Sequence, residues 1–116
     1  VGVGMGEEGD GKGPLKFGKF ELKWSQCFYI SPSGLSLAVV NLKPLLPGHV
    51  LVIPRRSVPT MAELTVEEVA DLWSSVREVQ KIVEGYHGAV GANLGVQDGR
   101  DAGQSVPHVH VHVLPR

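Results

Sequence analysis

The chain has 116 residues and a mass of 12.4 kDa, with 42% hydrophobic and 20% charged side chains, which suits one soluble globular domain and argues against two. Eleven basic residues against twelve acidic ones leave a net charge of −1, which excludes the basic stripe of a phosphate-backbone binder, so no nucleic-acid partner is expected. No apolar run approaches the roughly 20 residues needed to cross a bilayer, and no basic-then-apolar signal pattern opens the chain, so no membrane partner is expected either.

Residues 1–14, VGVGMGEEGDGKGP, carry glycine at positions 2, 4, 6, 9, 11 and 13, a backbone freedom that predicts a flexible leader ahead of one domain over 15–116. The run GVGMGEEG superficially resembles a phosphate-cradling loop, but no strand precedes it and no apolar helix follows. Cys27 is the single cysteine; it forbids an intrachain disulfide and points to a reducing compartment, the cytoplasm or nucleus.

Phe28 to Ile30 and Leu35 to Asn41 are apolar runs joined by Ser31-Pro32-Ser33-Gly34, the pattern of an antiparallel hairpin. Leu42 to Gly48, broken by Pro44 and Pro47, must be a loop. His49 to Ile53 is β-branched and closes at Pro54, which predicts a third strand, with Arg55 to Pro59 as linker. Thr65 and Glu68 have capping-box spacing and start a helix on which Val69, Trp73, Val76, Gln80 and Val83 recur at three- and four-residue steps and which ends near Gly85 to Gly88. Trp73 is expected in the core, and the helix glutamates are expected on a solvated face. Ala89 to Val96 and His108 to Leu114 are two further strand-like runs around the turn-rich Gln97 to Gln104. Strands, one long helix and strands again, with short connections, predict an α+β fold: an antiparallel sheet with the helix on one face.

The chemistry gathers at the C-terminus. His108, His110 and His112 alternate with Val109, Val111 and Val113, so an extended strand puts the imidazoles on one surface and the valines in the core. His49 opens an apolar strand that could lie beside them. Two such histidines could share a metal ion, but outer Cα atoms roughly 13 Å apart, at a rise of about 3.3 Å per residue, cannot all serve one ion. Asp98 and Asp101 lie in the loop before the row, and no metal site is assigned. A neutral imidazole with one nitrogen donating and the other presenting its lone pair is instead a nucleophile near neutral pH, and a flanking histidine can steady growing negative charge.

The run His108-Val109-His110-Val111-His112-Val113-Leu114 resembles the signature of the histidine triad (HIT) superfamily. Its surroundings, Leu42 to Val52, Gln97-Asp98-Gly99 and Ala102 to Val106, are similar to the Fhit-like branch of diadenosine polyphosphate hydrolases, and the likeness runs from about Phe17 to Arg116. The resemblance implies a HIT-like fold and hydrolysis of a dinucleoside polyphosphate to nucleoside monophosphate and diphosphate through a covalent nucleotidyl-histidine. In that scheme His110 is the nucleophile, His112 contacts the phosphate, and His108 and His49 hydrogen-bond behind the nucleophile. Gln97, Gly103, Gln104, Ser105 and Val106 match phosphate and leaving-group positions, Asn41 matches the ribose contact, and Phe17, Val39 and Leu51 match the base pocket. His87 lies outside every motif and reads as a surface residue. No tightly bound cofactor is implied, magnesium entering only as a counter-ion of the substrate, and a homodimer is expected.

Three features depart from the pattern. Fhit-like chains continue past the triad through a substrate-facing loop and a helical tail, so either that segment lies outside residues 1–116 or the second nucleoside site is incomplete. Ser105 stands where animal members carry threonine. Asn93-x-Gly95 resembles the Hint branch, which cleaves nucleoside phosphoramidates, although that branch has an Asp in place of Asn41 and lacks Gln97-Asp98-Gly99. A phosphoramidate hydrolase is the alternative, and a nucleotide-binding signalling module, whose output is the bound complex, is a reading from a different class.

Overall fold

A computed structural model describes residues 9–116 of the chain. Strands β1 (Leu15–Phe17) and β2 (Phe20–Leu22) pair as a small hairpin of their own. Strands β3 (Cys27–Ile30), β4 (Ser36–Val40) and β5 (Val50–Pro54), the helix α1 (Val66–His87), and strands β6 (Ala92–Val96) and β7 (Val111–Pro115) follow in chain order. The main sheet runs β3-β4-β5-β7-β6 with every neighbouring pair antiparallel, and the fold is α+β as expected. β7, last in the chain, inserts between β5 and β6, so β5 and β6 run parallel and α1 is the crossover that parallel strands require.

The alternation of the strands divides the apolar residues between two layers. Ala38, Val50, Val52, Val111 and Val113 face α1 and pack with Leu72, Val76, Val79 and Val83. Leu37, Val39, Leu51 and Ile53 face the other way and are covered by Leu15, Trp24 and Cys27. Each aliphatic side chain so buried contributes about 1.5–3 kcal/mol, which holds the helix on one face and the β1–β2 hairpin on the other.

The helix begins as its capping box dictates: the Thr65 hydroxyl accepts from the Glu68 N–H at 3.1 Å, and the Glu68 carboxylate accepts from the Thr65 N–H at 2.8 Å. Gly88 closes it in a left-handed conformation, its N–H bonded to the Glu84 carbonyl. Two expectations are corrected here. Trp73 is 38% exposed, because Leu72 and Val79 supply the packing stripe and rotate Trp73 to its edge. Glu68 is buried and bonded through both oxygens to Arg56, tying the helix start to the chain after β5.

Only residues 9–14 of the expected leader fall among those described, and they are anchored. Asp10 pairs with Arg55, whose guanidinium lies 5.3 Å from the Trp24 ring centroid, and the Trp24 indole N–H donates to the Gly13 carbonyl at 3.2 Å. The structured domain thus extends a few residues before Leu15, because a charge pair and an aromatic face offset the glycine entropy.

Candidate active site

The histidine row is built from a strand and the irregular segment before it. His112 lies in β7, opposite Leu51 of β5 and Gly95 of β6, and therefore on the face away from α1. His108 and His110 precede β7, since the Val109 N–H bonds to the Val58 carbonyl and no ladder continues there. Val109, Val111 and Val113 nevertheless all enter the helix-side core, so the alternation holds across the change in structure. The His110 and His112 rings lie 5.1 Å apart in a T, and Phe17 of β1 packs 5.0 Å from His110 and 5.4 Å from His108.

Backbone groups determine which nitrogen of each ring carries the proton, because a peptide N–H can only donate and a carbonyl can only accept. The Gly18 N–H points at His108 Nδ1 from 2.9 Å, and His108 Nε2–H donates to the Pro54 carbonyl at 2.8 Å. That grip depends on a tight turn between β1 and β2: Gly18 has φ +59°, and a Cβ there would come within 2.9 Å of Val106. The His110 Nδ1–H donates to the carbonyl of His108 at 2.8 Å, which in the neutral ring leaves Nε2 with its lone pair. His112 Nδ1 lies 2.9 Å from His49 Nε2, and the Leu45 N–H points at His49 Nδ1 from 3.0 Å. Burial pulls the imidazoles of His49, His108 and His112 below their ordinary range, so these three are neutral near pH 7.

The row therefore differs from the expected pair behind the nucleophile. The carbonyl of His108, not its ring, orients His110, and His49 bonds His112 rather than His110. The reason is register: β5 lies beside β7, which puts His49 next to the strand residue and leaves the preceding segment to be held by its own backbone.

The segment 97–106 folds beside the row. Gly103, at φ +89°, lets the Gln97 amide approach so closely that a Cβ would stand 2.6 Å from its Nε2. The Gln97 and Ser105 side chains are exposed, free of any intramolecular hydrogen bond among the described residues. Gln104 is different. Its Oε1 accepts from the Gly99 N–H at 2.8 Å, and its Nε2 donates to the carbonyls of Pro59 at 2.7 Å and Val106 at 3.0 Å. Its amide is committed to the loop, which corrects the expectation that this side chain contacts substrate. Asp98, whose Oδ1 accepts from the Met61 N–H at 2.8 Å, pins the same loop to the segment after β5 and was not among the expected site residues.

Asn41 stands beside His49, its Nδ2 3.3–3.4 Å from the ring nitrogens and its Oδ1 accepting from the Lys43 N–H. Of the expected base-pocket residues, Phe17 is half-buried, but Val39 is 0% exposed and Leu51 is buried, both within the core beneath the hairpin. Their burial corrects the expectation that they wall a base pocket. Among the described residues no group of three His, Cys, Asp or Glu side chains is placed to hold a metal ion. His87 is exposed as expected, its ring against Gly48.

A family model described as the HIT domain matches residues 24–116. The chain belongs to this family. It is 57% identical over 102 residues, 88% of its own length and 54% of the relative's, to the asymmetrical bis(5'-nucleosyl)-tetraphosphatase of Schizosaccharomyces pombe. It is 50% identical over 100 residues, 86% of its length and 54% of the relative's, to the bifunctional bis(5'-adenosyl)-triphosphatase/adenylylsulfatase FHIT of Arabidopsis thaliana. Among solved structures, a Plasmodium falciparum diadenosine triphosphate hydrolase bound to cyclomarin A superposes with a TM-score of 0.85 at 32% identity, over 89% of this chain and 69% of that one. This HIT chain spans about half the length of those two curated relatives.

Proposed function

We propose that the protein hydrolyses dinucleoside polyphosphates, with a diadenosine triphosphate-like compound as substrate, through a nucleotidyl group carried transiently on His110 Nε2. The observation that carries this is the pair of neighbouring rings with opposite outward chemistry: a lone pair on His110 and an N–H on His112. The lone pair attacks the α-phosphorus, a P–N bond forms and the P–O bond to the departing nucleoside diphosphate breaks. Water then attacks the same phosphorus, breaks the P–N bond and releases nucleoside monophosphate. The His112 N–H donates to a phosphate oxygen on which charge grows. Gln97, held against Gly103, has both amide groups free for the polyphosphate bridge, and Ser105 has a free hydroxyl for the leaving group. Asn41 faces the ribose and Phe17 the base. Magnesium serves as a counter-ion of the polyphosphate. The names of the relatives, a triphosphatase and a tetraphosphatase, agree on the substrate class.

Two further parts of the reading rest on the fold and on Cys27. The edge strand β6 exposes Asn93, Leu94 and Gly95, an unpaired ladder suited to a second copy, so the working unit is a homodimer. Cys27 is fully buried, its thiol pKa raised by burial, which suits a reducing cytoplasm or nucleus.

The test is to incubate the protein separately with diadenosine triphosphate and adenosine phosphoramidate and compare initial rates. Faster cleavage of the triphosphate to AMP and ADP supports the reading. Faster cleavage of the phosphoramidate replaces it with the Hint-like alternative. Tight binding of the triphosphate with no turnover would favour a signalling module.

A further inference from the structure

We propose that the main-chain N–H of Leu45 is a positioning group that makes His112 a hydrogen-bond donor to substrate, acting through the ring of His49. Three geometric facts carry it. The Leu45 N–H lies 3.0 Å from His49 Nδ1, His49 Nε2 lies 2.9 Å from His112 Nδ1, and His112 Nε2 has no partner among the described residues. A peptide N–H never accepts, so His49 Nδ1 carries no proton and its single proton sits on Nε2. That proton is donated to His112 Nδ1, which must then be bare. The one proton of the His112 ring is left on Nε2, the nitrogen turned to the site.

The reverse arrangement shows why the first donor matters. With the proton on His49 Nδ1, two N–H groups would face each other at Leu45, and His49 Nε2 would have to accept from His112. His112 would then present a lone pair, which repels phosphate oxygen. A single amide in the Leu42–Gly48 loop thus selects between a donor and an acceptor two rings away. Leu45 itself is 80% exposed, so its side chain contributes little to the core and the loop is held to the row through its backbone. Asn41 lies against the same ring with its Nδ2 3.4 Å from Nδ1 and 3.3 Å from Nε2, so it favours neither nitrogen and the choice rests on the Leu45 N–H.

This inference rests on the proposed phosphate chemistry only for its effect on rate; the proton positions are measurable without substrate. Two-bond nitrogen–hydrogen correlation spectra of the imidazoles near neutral pH should show His49 and His112 both protonated at Nε2. An Nδ1-protonated His112 in the wild-type protein overturns the proposal outright. Replacing the peptide link before Leu45 by an ester removes the N–H and keeps the side chain, with a weaker Pro44 carbonyl acceptor as its side effect, and Leu45→Pro removes the N–H genetically. Either should convert a measurable fraction of His112 to the Nδ1-protonated form and lower kcat about tenfold or more while KM moves little, whereas Leu45→Ala, which keeps the N–H, should match wild type. Unchanged His112 spectra in a folded ester variant would sink the idea even if Leu45→Pro fails to fold. If the wild type turns over no dinucleotide at all, the proposed function fails, and the spectra still decide the proton relay.

Discussion

At the scale of single residues, the two rings at the centre of the site owe their difference to partners rather than to kind. His110 donates from Nδ1 to a carbonyl and His112 accepts at Nδ1 from His49, so one exposes a lone pair and the other a proton. His110→Ala should therefore abolish turnover, while His112→Ala, which removes one donor to growing charge, should slow it about 10²–10³-fold. Mass analysis of the quenched wild-type protein should find a nucleotide on His110; wild-type rates in His110→Ala would refute covalent catalysis there. The leaving group separates Gln97 from Ser105. A nucleoside diphosphate departs as a stable anion and needs amide contacts, whereas an amine needs a proton. Gln97→Ala should impair triphosphate cleavage more than Ser105→Ala does, and the ranking should invert on phosphoramidate; a silent Gln97→Ala would count against the polyphosphate reading.

At the scale of elements, α1 and the segment 97–106 act as supports. Thr65 and Glu68 were legible as a capping box from their spacing alone, because the rule is local. What lay beyond local rules was the second use of Glu68 as the partner of Arg56, which keeps the helix start next to the segment leading to Pro59, on which Gln104 rests. Thr65→Ala should cost about 1 kcal/mol in urea denaturation, and Glu68→Ala should cost more, since it also strands Arg56 and the Thr65 N–H. Equal costs would mean that the Arg56 pair is idle. The β1–β2 hairpin escaped the sequence reading: its three-residue strands are too short for a periodic signal, although Phe17-Gly18-Lys19-Phe20 carries a turn glycine between two aromatics. It matters because it supplies both Phe17 and the Gly18 N–H that holds His108.

At the scale of the whole molecule, the buried imidazoles link stability to pH. His49, His108 and His112 sit below the ordinary value of 6.5 in the folded chain, burial being the largest cause in each. The unfolded chain therefore binds more protons below that value, and stability falls as pH drops through it. A second loss follows at lower pH. Glu68 is held at about 2 against an ordinary 4.5, chiefly by Arg56, and Asp10 at about 2 against 3.8, chiefly by Arg55. The stability they contribute is complete above the ordinary values and is lost as pH falls toward 2. Urea midpoints should thus decline in two steps, the first beginning near pH 6.5; a flat midpoint from about pH 7.5 to about 5.5 would show that the histidines titrate normally. Assembly is tested by light scattering at micromolar concentration, where a dimer is expected. A monomer would refute the pairing of β6 edges for residues 1–116.

Composition, alternation and spacing were enough to determine an α+β domain, the order of its main strands and helix, the hairpin at Ser31 to Gly34 and a one-sided histidine row, since each follows from contacts between near neighbours in the chain. Which chemical groups to propose, His110 and His112 with Gln97 and Ser105, came from the resemblance to the HIT family, since alternation by itself gives only the one-sided row. Only the tertiary structure decided how those groups are wired. β7 enters between β5 and β6, and that register sets His49 against His112 instead of His110, buries Val39 and Leu51 under the hairpin, and spends the Gln104 amide on Pro59 and Gly99. Strand order depends on contacts between residues as much as 63 positions apart, such as His49 and His112, and no local pattern encodes which of several compatible neighbours a strand will choose.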